Sequence, residues 1–421
     1  MIDVPVGYIQ TDVGVIPEDW EVTQFKEVAK VVDSLHQTPS FSEDGYPMVR
    51  VVDIKIGDLN LNNTLRVSES VFIEFTRNYK PKKNDIVLSR VGSYGVSSFV
   101  ETDEPFCIGQ NTVVIEPKIP SRFLYYVLNS PYIRQQIEDG SYGSGYKSLS
   151  LKNIKELLVS LPPLTEQTAI ATALSDVDAL LNQLDKLIAK KRDIKQATMQ
   201  QLLTGKKRLA GFGDGKGYKQ TEIGEIPEDW DCVGLGDIGE NLIGLTYSPN
   251  DVKAHGTLVL RSSNIQKNKL AFDDNVYVDM DLPKRVMVKQ GDILLCVRNG
   301  SRQLIGKCAL IDKTVEGAAF GAFMSVYRSV NSQFIFYQFQ ANVIQKQIEE
   351  VMGATINQIT NKDLSSFKIA LPKNKAEQTA IATLLTDMDT EITQLQQRRH
   401  KTHALKQGMM QQLLTGKIRL A

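Results

Sequence analysis

The chain has 421 residues, 42% hydrophobic and 23% charged; this excludes a disordered or fibrous protein and predicts two to four domains. Lys plus Arg and Asp plus Glu number 49 each, so the global charge indicates no polyanionic partner, and any nucleic-acid surface must be local. The sequence contains no membrane-length apolar window, no signal-peptide pattern and no CxxC pair, which predicts a cytoplasmic protein with reduced thiols and no metal site.

Three sequence motifs occur twice in the chain. "IPEDW" (16–20) recurs at 226–230 and contains both tryptophans, "EQTAIATALSDVDALLNQL" (166–184) recurs as "EQTAIATLLTDMDTEITQL" (377–395), and "MQQLLTGKKRLA" (199–210) recurs as "MQQLLTGKIRLA" (410–421). All three pairs keep one order and an offset of 210 or 211 residues, which indicates a tandem duplication. We interpret "IPEDW" as a packing element at the start of each copy, with Trp20 and Trp230 buried there, and not as a site.

The interiors of the copies, residues 21–160 and 231–370, match only in outline, as "NDIVLSRVGSYG" (84–95) parallels "GDILLCVRNGSR" (291–302). Their β-branched and aromatic runs alternate with Gly, Asn, Asp and Ser clusters, which predicts a strand-rich α+β fold. Helical spacing over 122–139 and 333–351 predicts that each interior ends with a helix, a polar loop and a last strand. A shared fold with divergent detail indicates two versions of one recognition device.

A long amphipathic helix is predicted to follow each interior. Pro162 and Pro163 with Thr165 as the N-cap indicate its start in the first copy, and Asn374 with Glu377 forms a candidate capping box in the second. Residues 166–203 would span about 57 Å, and so long a rod needs a partner, of which the simplest is the other rod. The predicted coiled-coil seam consists of Ile170, Leu174, Val177, Leu181, Leu184, Ile188, Ile381, Leu385, Met388, Ile392 and Leu395.

Alternatives remain open for these helices. The apolar stripe also fits ordinary packing in a globular core. An antiparallel pair would place the two interiors at opposite ends about an approximate twofold axis, as in proteins that read two DNA half-sites. Gly408 in the second helix indicates a bend or a close approach to a partner. The basic runs at 186–208 and 398–419 fit either a solvated helix face or a surface that faces phosphates or a partner.

Arginine and amide side chains beside the Gly/Ser loops at strand ends are the candidate DNA-binding residues. Arg pairs with guanine and Asn or Gln with adenine, although each of these residues taken alone also fits a salt bridge or a plain surface position. The predicted residues are Arg50, Arg90, Ser93, Tyr94, Tyr146, Lys147, Arg261, Asn264, Arg298, Asn299, Arg302, Gln303, Asn357 and Gln358.

Catalytic motifs are weak or absent in the sequence. Glu116 and Lys118 form an ExK that faintly suggests a nuclease, but the second copy lacks it. "GSYGSGYKS" (140–148) nearly spells a phosphate-binding loop, but Tyr146 separates Gly145 from Lys147. There is no GxSxG elbow, no HExxH and no dinucleotide-binding turn. The sequence therefore predicts no catalytic residue in this chain.

The motifs "IGEIPEDW", "LPPLTEQTAIATALSDVDALLNQL" and "QQLLTGKKRL" resemble the specificity subunit (HsdS) of type I restriction-modification systems, and the likeness covers essentially the whole chain. The second copy departs from the pattern with "LPKNKAEQ" at the start of its helix. The resemblance implies a non-catalytic DNA reader. Its target recognition domains would be residues 1–160 and 211–370, each binding one half of a bipartite, asymmetric target. Its helical spacer regions would be residues 161–210 and 371–421, which form an antiparallel coiled coil that sets the spacing.

The resemblance also implies partners. These are double-stranded DNA, two methyltransferase subunits that bind S-adenosylmethionine and modify adenine, and restriction subunits that use ATP and Mg²⁺; this chain itself would carry no cofactor. A coiled-coil scaffold that assembles enzymes without reading sequence is the alternative function. A standalone nuclease or methyltransferase is the third.

Overall fold

The computed structural model describes residues 4–140, 148–213, 217–352 and 357–420. The chain packs as two compact units: unit 1 contains residues 1–186 and 397–421, and unit 2 contains residues 187–396. Each unit holds one of the two interiors. Each also holds the first half of one long helix and the second half of the other, so the duplication and the packing units do not coincide along the chain.

Unit 1 is built around a five-stranded sheet of order β4-β11-β8-β9-β6, with a three-stranded sheet β10-β5-β7 beside it. Its elements are β1 (Tyr8–Thr11), β2 (Gly14–Pro17), β3 (Glu21–Gln24), α1 (Phe25–Val28), β4 (Ala29–Asp33), β5 (Tyr46–Val49), β6 (Gly57–Asp58), β7 (Leu65–Val67), α2 (Glu69–Thr76), β8 (Ile86–Ser89), β9 (Ser97–Phe99), β10 (Cys107–Ile108), β11 (Thr112–Pro117), α3 (Ser121–Leu128), α4 (Pro131–Gly140), α5 (Leu151–Glu156) and β12 (Leu158–Leu161), followed by the first half of α6 (Leu164–Leu203).

Unit 2 repeats this topology with sheets of order β16-β25-β22-β23 and β17-β21-β18-β24. Its elements are β13 (Tyr218–Thr221), β14 (Gly224–Pro227), β15 (Trp230–Gly234), α7 (Leu235–Ile238), β16 (Glu240–Ile243), β17 (Val252–Lys253), β18 (Thr257–Leu260), β19 (Ile265–Gln266), β20 (Lys269–Leu270), β21 (Val276–Val278), β22 (Ile293–Cys296), β23 (Cys308–Leu310), β24 (Ala319–Phe320), β25 (Met324–Arg328), α8 (Ser332–Gln340), α9 (Asn342–Val351), α10 (Asn361–Ser366), β26 (Lys368–Pro372) and the first half of α11 (Lys375–Leu413).

The central strands of the two units are buried, and the helices predicted to follow them are each divided in two. β8 (IVLS) and β22 (ILLC) are buried along their whole length, which is why both read as continuous apolar runs instead of alternating ones. The single helix predicted over 122–139 is two helices, because the ring of Pro131 cannot continue α3 but fits the first position of α4. The segment 333–351 is likewise divided into α8 and α9. Both fold-class predictions, strand-rich units and long helices, are confirmed.

The starts of the long helices differ from the predicted caps. α6 begins at Leu164, so Thr165 lies inside the first turn and is not the N-cap; the Thr165 prediction is wrong by one or two residues. Asn374 does act at the start of α11, since its Oδ1 accepts from the Ala376 amide at 2.9 Å. The Glu377 carboxylate, however, does not complete a capping box, because Arg208 and Trp230 donate to it.

Ion pairs between α6 and α11 run in opposite directions along the two helices. In unit 1, Asp178 pairs with Lys406 at 2.7 Å and Asp185 with Arg399 at 2.8 Å. The same antiparallel order holds in unit 2, where Lys191 pairs with Glu391 at 2.6 Å and Lys195 with Asp389 at 2.7 Å. The basic runs are therefore used in part by the helix pair itself.

The predicted seam divides into two parts. Ile170 and Leu174 pack into the core of unit 1 with Trp20 and α3, and Ile381 and Leu385 pack into the core of unit 2. Further along the helices, Leu181, Leu184, Ile188 and Ile392 are also buried, whereas Val177, Met388 and Leu395 are half-buried. Globular packing, the alternative interpretation of the stripe, thus applies to about the first three turns of each helix, where an interior packs beside it.

Gly408 does not interrupt the second long helix. α11 continues unbroken through Gly408, and a Cβ there would meet no atom of the described chain within 4 Å, so no close approach inside the protein explains this glycine.

All four cysteines are free. Burial raises the pKa of the Cys107 and Cys308 thiols to about 12, as expected for unreactive structural thiols.

Candidate nucleic-acid interface

The repeated motifs meet in unit 1 at a cluster that we call the motif junction. Arg419 donates from Nη2 to Asp19 at 2.7 Å and to Glu166 at 2.8 Å. Trp20, 3% exposed, donates from Nε1 to the same Glu166 carboxylate at 3.2 Å, and the Arg419 guanidinium lies 5.7 Å from its ring. "IPEDW", "EQTAIA" and "GKIRLA" are therefore one structural cluster although they lie far apart in the sequence.

Unit 2 contains the same junction built from the other copies of the motifs. Arg208 donates to Asp229 at 2.9 Å and to Glu377 at 2.7 Å, and Trp230 donates to Glu377 at 3.2 Å. The Arg208 guanidinium lies 5.3 Å from the Trp230 ring, which is fully buried. The interpretation of "IPEDW" as a packing element is confirmed.

The contacts in the junctions stabilise the charged forms of Arg419, Asp19 and Arg208. Hydrogen bonds to Glu166 and then Asp19 raise the pKa of the Arg419 guanidinium, and the hydrogen bond from Arg419 lowers the pKa of Asp19. Burial works to lower the pKa of Arg208, but its hydrogen bonds to Glu377 and Asp229 prevail and the pKa is raised. Each junction is thus a structural cluster of ion pairs. It attaches the interior of its unit to the long helices.

The loops predicted to face DNA lie together within each unit. In unit 1, the Leu149 amide donates to the Arg90 carbonyl at 2.8 Å, and Val91 pairs with Ser148. In unit 2, the Ile359 amide donates to the Val297 carbonyl at 2.8 Å, and Arg298 pairs with Gln358. Tyr146 and Lys147 lie outside the described residues, so only the flanks of their loop can be placed.

The predicted residues of unit 1 are largely engaged by the protein. The Arg90 side chain is 17% exposed, and it donates to Asp33 at 2.8 Å and to the Leu149 carbonyl at 2.9 Å. Arg50 pairs with Asp53 at 3.2 Å, and the Tyr94 hydroxyl donates to Glu138 at 2.7 Å. Ser93 is exposed in the loop. Arg90 and Arg50 therefore hold the loop and the strand end in place.

The predicted residues of unit 2 are more accessible. Arg298 is exposed, and its guanidinium lies 5.2 Å from the ring of Phe323. Asn299 donates to Ser262 at 3.1 Å, and Asn357 donates to the Gly300 carbonyl at 3.1 Å. Arg302 contacts the carbonyls that end α9, and Gln303 is exposed beside it. Arg261 pairs with Asp274 at 2.8 Å, while its Nε is buried without an acceptor in the described structure.

The prediction for Asn264 is corrected by the structure. Asn264 is fully buried, its Oδ1 accepts from the Arg261 amide, and its Nδ2 donates to the Ala271 carbonyl at 2.9 Å and to Asn275. A side chain whose donors and acceptor are all used inside the protein has nothing left to offer to a base edge. Asn264 closes the turn after β18 and is not a contact residue.

Sequence reasoning missed a cleft that occurs at the same place in both units. Cleft 1, of about 290 Å³, is lined by Gln37, Thr38, Pro39, Phe41, Met48, Arg50, Val51, Val52, Val91, Gly109, Gln110 and Asn111. Cleft 2, of about 650 Å³, is lined by Leu245, Thr246, Tyr247, Pro249, Val252, Arg261, Ser262, Ser263, Asp274, Val276, Gly321, Ala322, Phe323 and Met324. Each cleft is assembled from segments far apart in sequence. The only local signal is a glycine after the short strand β10 or β24.

The residues of the ExK motif, Glu116 and Lys118, make contacts within the protein and do not form a cluster with other acidic side chains. Glu116 pairs with Lys82 at 2.7 Å and lies 3.8 Å from Lys30, and Lys118 donates to the Lys26 carbonyl. In the described parts of the chain, no group of three or more His, Cys, Asp or Glu side chains is placed to hold a metal ion. Nor is any helix there both long and apolar enough to cross a membrane.

Comparison with known proteins decides the family. Residues 17–196 and 227–402 each match the type I restriction modification DNA specificity domain, one match in each copy of the repeat. The chain belongs to this family. Among curated proteins, a putative type I restriction enzyme specificity subunit (MjaX) of Methanocaldococcus jannaschii is 30% identical over 98% of this chain and 97% of its own length. The MjaVIII specificity subunit of the same organism is 26% identical over 96% and 94%.

Structural comparison supports the same fold. The crystal structure of a type I restriction-modification S subunit from M. genitalium has a TM-score of 0.56 at 15% sequence identity, covering 94% of this chain and 96% of that one. The resemblance seen in the motifs is therefore confirmed, and the chain is a specificity subunit, a non-catalytic DNA-recognition subunit of the type I restriction-modification class.

Proposed function

We propose that this chain reads a bipartite, asymmetric DNA sequence, one half through each unit, for a type I restriction-modification complex. The target recognition domains are residues 1–160 and 211–370, and the helical spacer regions are residues 161–210 and 371–421. α6 and α11 set the distance between the half-sites and dock two methyltransferase subunits, with restriction subunits as further partners. S-adenosylmethionine, ATP and Mg²⁺ belong to those partners, and the complex works in the cytoplasm on double-stranded DNA.

The observation that carries this proposal is the repetition of one loop-and-cleft arrangement in two units whose lining differs. The framework contacts are equivalent, and each cleft is lined by one strand-end arginine and an aromatic ring, but Gln110 and Asn111 of cleft 1 stand where cleft 2 has Ala322 and Phe323. A scaffold without readout requires the junctions and the helices, but nothing in that role requires two matched clefts with different chemistry.

The exposed basic residues of the helices support docking of a partner or of the DNA backbone. The seam and the junctions use Lys191, Lys195, Arg399 and Lys406, together with both junction arginines. The residues left exposed are Lys186, Lys190, Arg192, Arg398 and Lys401 on the helices, and Lys206, Lys207 and Lys417 in the segments that follow them. Such cations can neutralise phosphates with release of counterions, or they can meet an acidic partner surface.

Methylome sequencing of a host that expresses the chain with its methyltransferase subunit tests the proposal. A reader produces one methylated motif with two specified blocks separated by a fixed number of unspecified bases. Methylation without a defined motif would favour the scaffold. The purified chain alone is expected neither to cut nor to methylate DNA, and either activity would restore the enzyme alternative.

A further inference from the structure

The two clefts have the same framework in both units. The Gly109 amide donates to the Val49 carbonyl at 2.8 Å, and the Gly321 amide donates to the Leu260 carbonyl at 2.9 Å. Two residues further on, the Asn111 carbonyl accepts from the Arg90 amide at 2.9 Å, and the Phe323 carbonyl accepts from the Arg298 amide at 3.1 Å. Gln110 and Asn111 thus occupy the positions of Ala322 and Phe323.

The strand-end arginines are not equivalent in their availability. Arg50, Arg90 and Arg261 are each held by a carboxylate, of Asp53, Asp33 and Asp274 respectively. For Arg298, by contrast, the described residues supply no carboxylate within ion-pair distance, and its contact is the ring of Phe323. A guanidinium in a cation–π contact with an aromatic ring, without a carboxylate beside it, keeps its hydrogen-bond donors available to a ligand.

Cleft 1 presents an amide, Gln110, at the position that Ala322 occupies in cleft 2, whereas the available arginine of unit 2 lies beside cleft 2, over the ring of Phe323. Gln110 is exposed, and its Nε2 donates to the Thr38 hydroxyl at 3.0 Å, which holds the amide at the mouth of the cleft. No donor in the described chain reaches its Oε1, and Nε2 carries a second hydrogen. The acceptor and the spare donor of a glutamine amide match the N6 donor and N7 acceptor of adenine.

We propose that the two clefts and their edges are base-reading sites of different chemistry: Gln110 in cleft 1 reads the adenine of an A·T pair in one half-site, and Arg298 at the edge of cleft 2 reads a guanine in the other. Arg298 donates in bidentate fashion to the O6 and N7 acceptors of guanine. Phe323, 57% exposed, orients the fork and offers an apolar surface to a neighbouring thymine methyl group. This inference rests on the proposed function and adds to it the identity of one base pair per half-site.

The electrostatics of the clefts favour a base edge as the occupant. A guanidinium that has no carboxylate partner gains most from a ligand with acceptors, and guanine offers two at the spacing of the guanidinium fork. The amide at cleft 1 is uncharged, so it gains little from a phosphate and most from a partner with one donor and one acceptor. Phosphate is the same in every DNA sequence, so phosphate contacts would not require an amide in one unit and an arginine in the other.

Methylome sequencing of variants of the full complex tests the assignment. Gln110→Ala is expected to reduce the preference for A·T at one position roughly tenfold, and Arg298→Ala to reduce the preference for G·C roughly tenfold at one position in the opposite half-site. The conservative variants sharpen the test. Gln110→Glu is expected to shift the preference at its position toward cytosine, whose N4 donates to a carboxylate, and Arg298→Lys to keep overall methylation but lose guanine preference.

Matched controls are available in each unit. Gln135 on α4 and Arg285, between β21 and β22, are exposed residues of the same types that do not line the clefts, and Gln135→Ala and Arg285→Ala are expected to leave every base preference unchanged. The assignment is overturned if Gln110→Ala and Gln110→Glu leave the motif intact, or if Arg298→Ala lowers methylation equally at all sequences. In either case the parental motif remains bipartite and the proposed function survives. A parent without a bipartite motif contradicts the proposed function itself.

Discussion

Arg419 donates from Nη2 to the Glu166 carboxylate at 2.8 Å, although the two residues are 253 positions apart. The equivalent contact in unit 2 joins Arg208 to Glu377. The arginine of each copy therefore closes the junction that holds the tryptophan and the glutamate of the other copy. Because neither copy completes its own junction, the crosswise arrangement ties the stability of each unit to both halves of the sequence.

Removal of the junction arginine is expected to destabilise one unit selectively. Arg419→Ala leaves the Glu166 carboxylate, 4% exposed, without its cation, and we expect a loss of about 2 kcal/mol in unit 1, allowing for the partial exposure of Arg419. Arg419→Lys should lose less, since it keeps the charge but not the fork. Hydrogen exchange measured by mass spectrometry can report each unit separately.

The counterpart variant provides the control for that experiment. Arg208→Ala should increase exchange around Trp230 and leave the surroundings of Trp20 protected, the reverse of Arg419→Ala. Arg398→Ala, which removes an exposed arginine of α11, should change neither unit. Equal loss of protection in both units from either junction variant would contradict the local role of each cluster.

Three glycines near the ends of the long helices should respond in opposite directions to alanine. Gly205 and Gly416 have φ of +70° and +69°, and a Cβ on them would overlap the ring of Pro227 or Pro17. Alanine there is expected to cost about 1 to 3 kcal/mol of unfolding free energy. Gly408 is helical and open to solvent, so Gly408→Ala should stabilise by about 1 kcal/mol. Thermal unfolding of the three variants checks these signs, and a stabilising Gly416→Ala would contradict the junction geometry.

The junction also predicts a pH dependence. The hydrogen bond from Arg419 lowers the folded-state pKa of Asp19 from its ordinary value of 3.8. A carboxylate with a depressed folded pKa stabilises the fold above its unfolded pKa, and this contribution is lost as the pH falls through the lowered value. We expect the stability difference between the parent and Asp19→Asn to be present at neutral pH and to disappear as the pH falls below 3.8 and through the lowered folded-state pKa of Asp19. Urea unfolding at a series of pH values measures this stability difference. A difference that grows as the pH falls would contradict the role of the Asp19 carboxylate in the junction.

The sequence revealed the duplication, the long helices and the packing role of the tryptophans because these leave local or periodic signals. It could not reveal that Arg208 serves the second copy and Arg419 the first, since identical motifs do not indicate which of two equivalent partners they contact. Nor could it separate Asn264, which is consumed inside a turn, from Arg298, which is exposed, because both follow strands beside polar loops. The clefts were invisible because their walls come from segments that only the sheet order brings together.

Exchange of one interior tests the central claim, two readers on one helix pair, most directly. Residues 231–370 would be replaced with the corresponding interior of a family member that has a different methylated motif, keeping both junctions and both helices, and the methylome of the assembled complex would be sequenced. We expect one half of the motif to change to that of the donor, with the other half and the spacing between the halves unchanged. A motif that keeps both of its original halves, or that changes in both, would contradict the account.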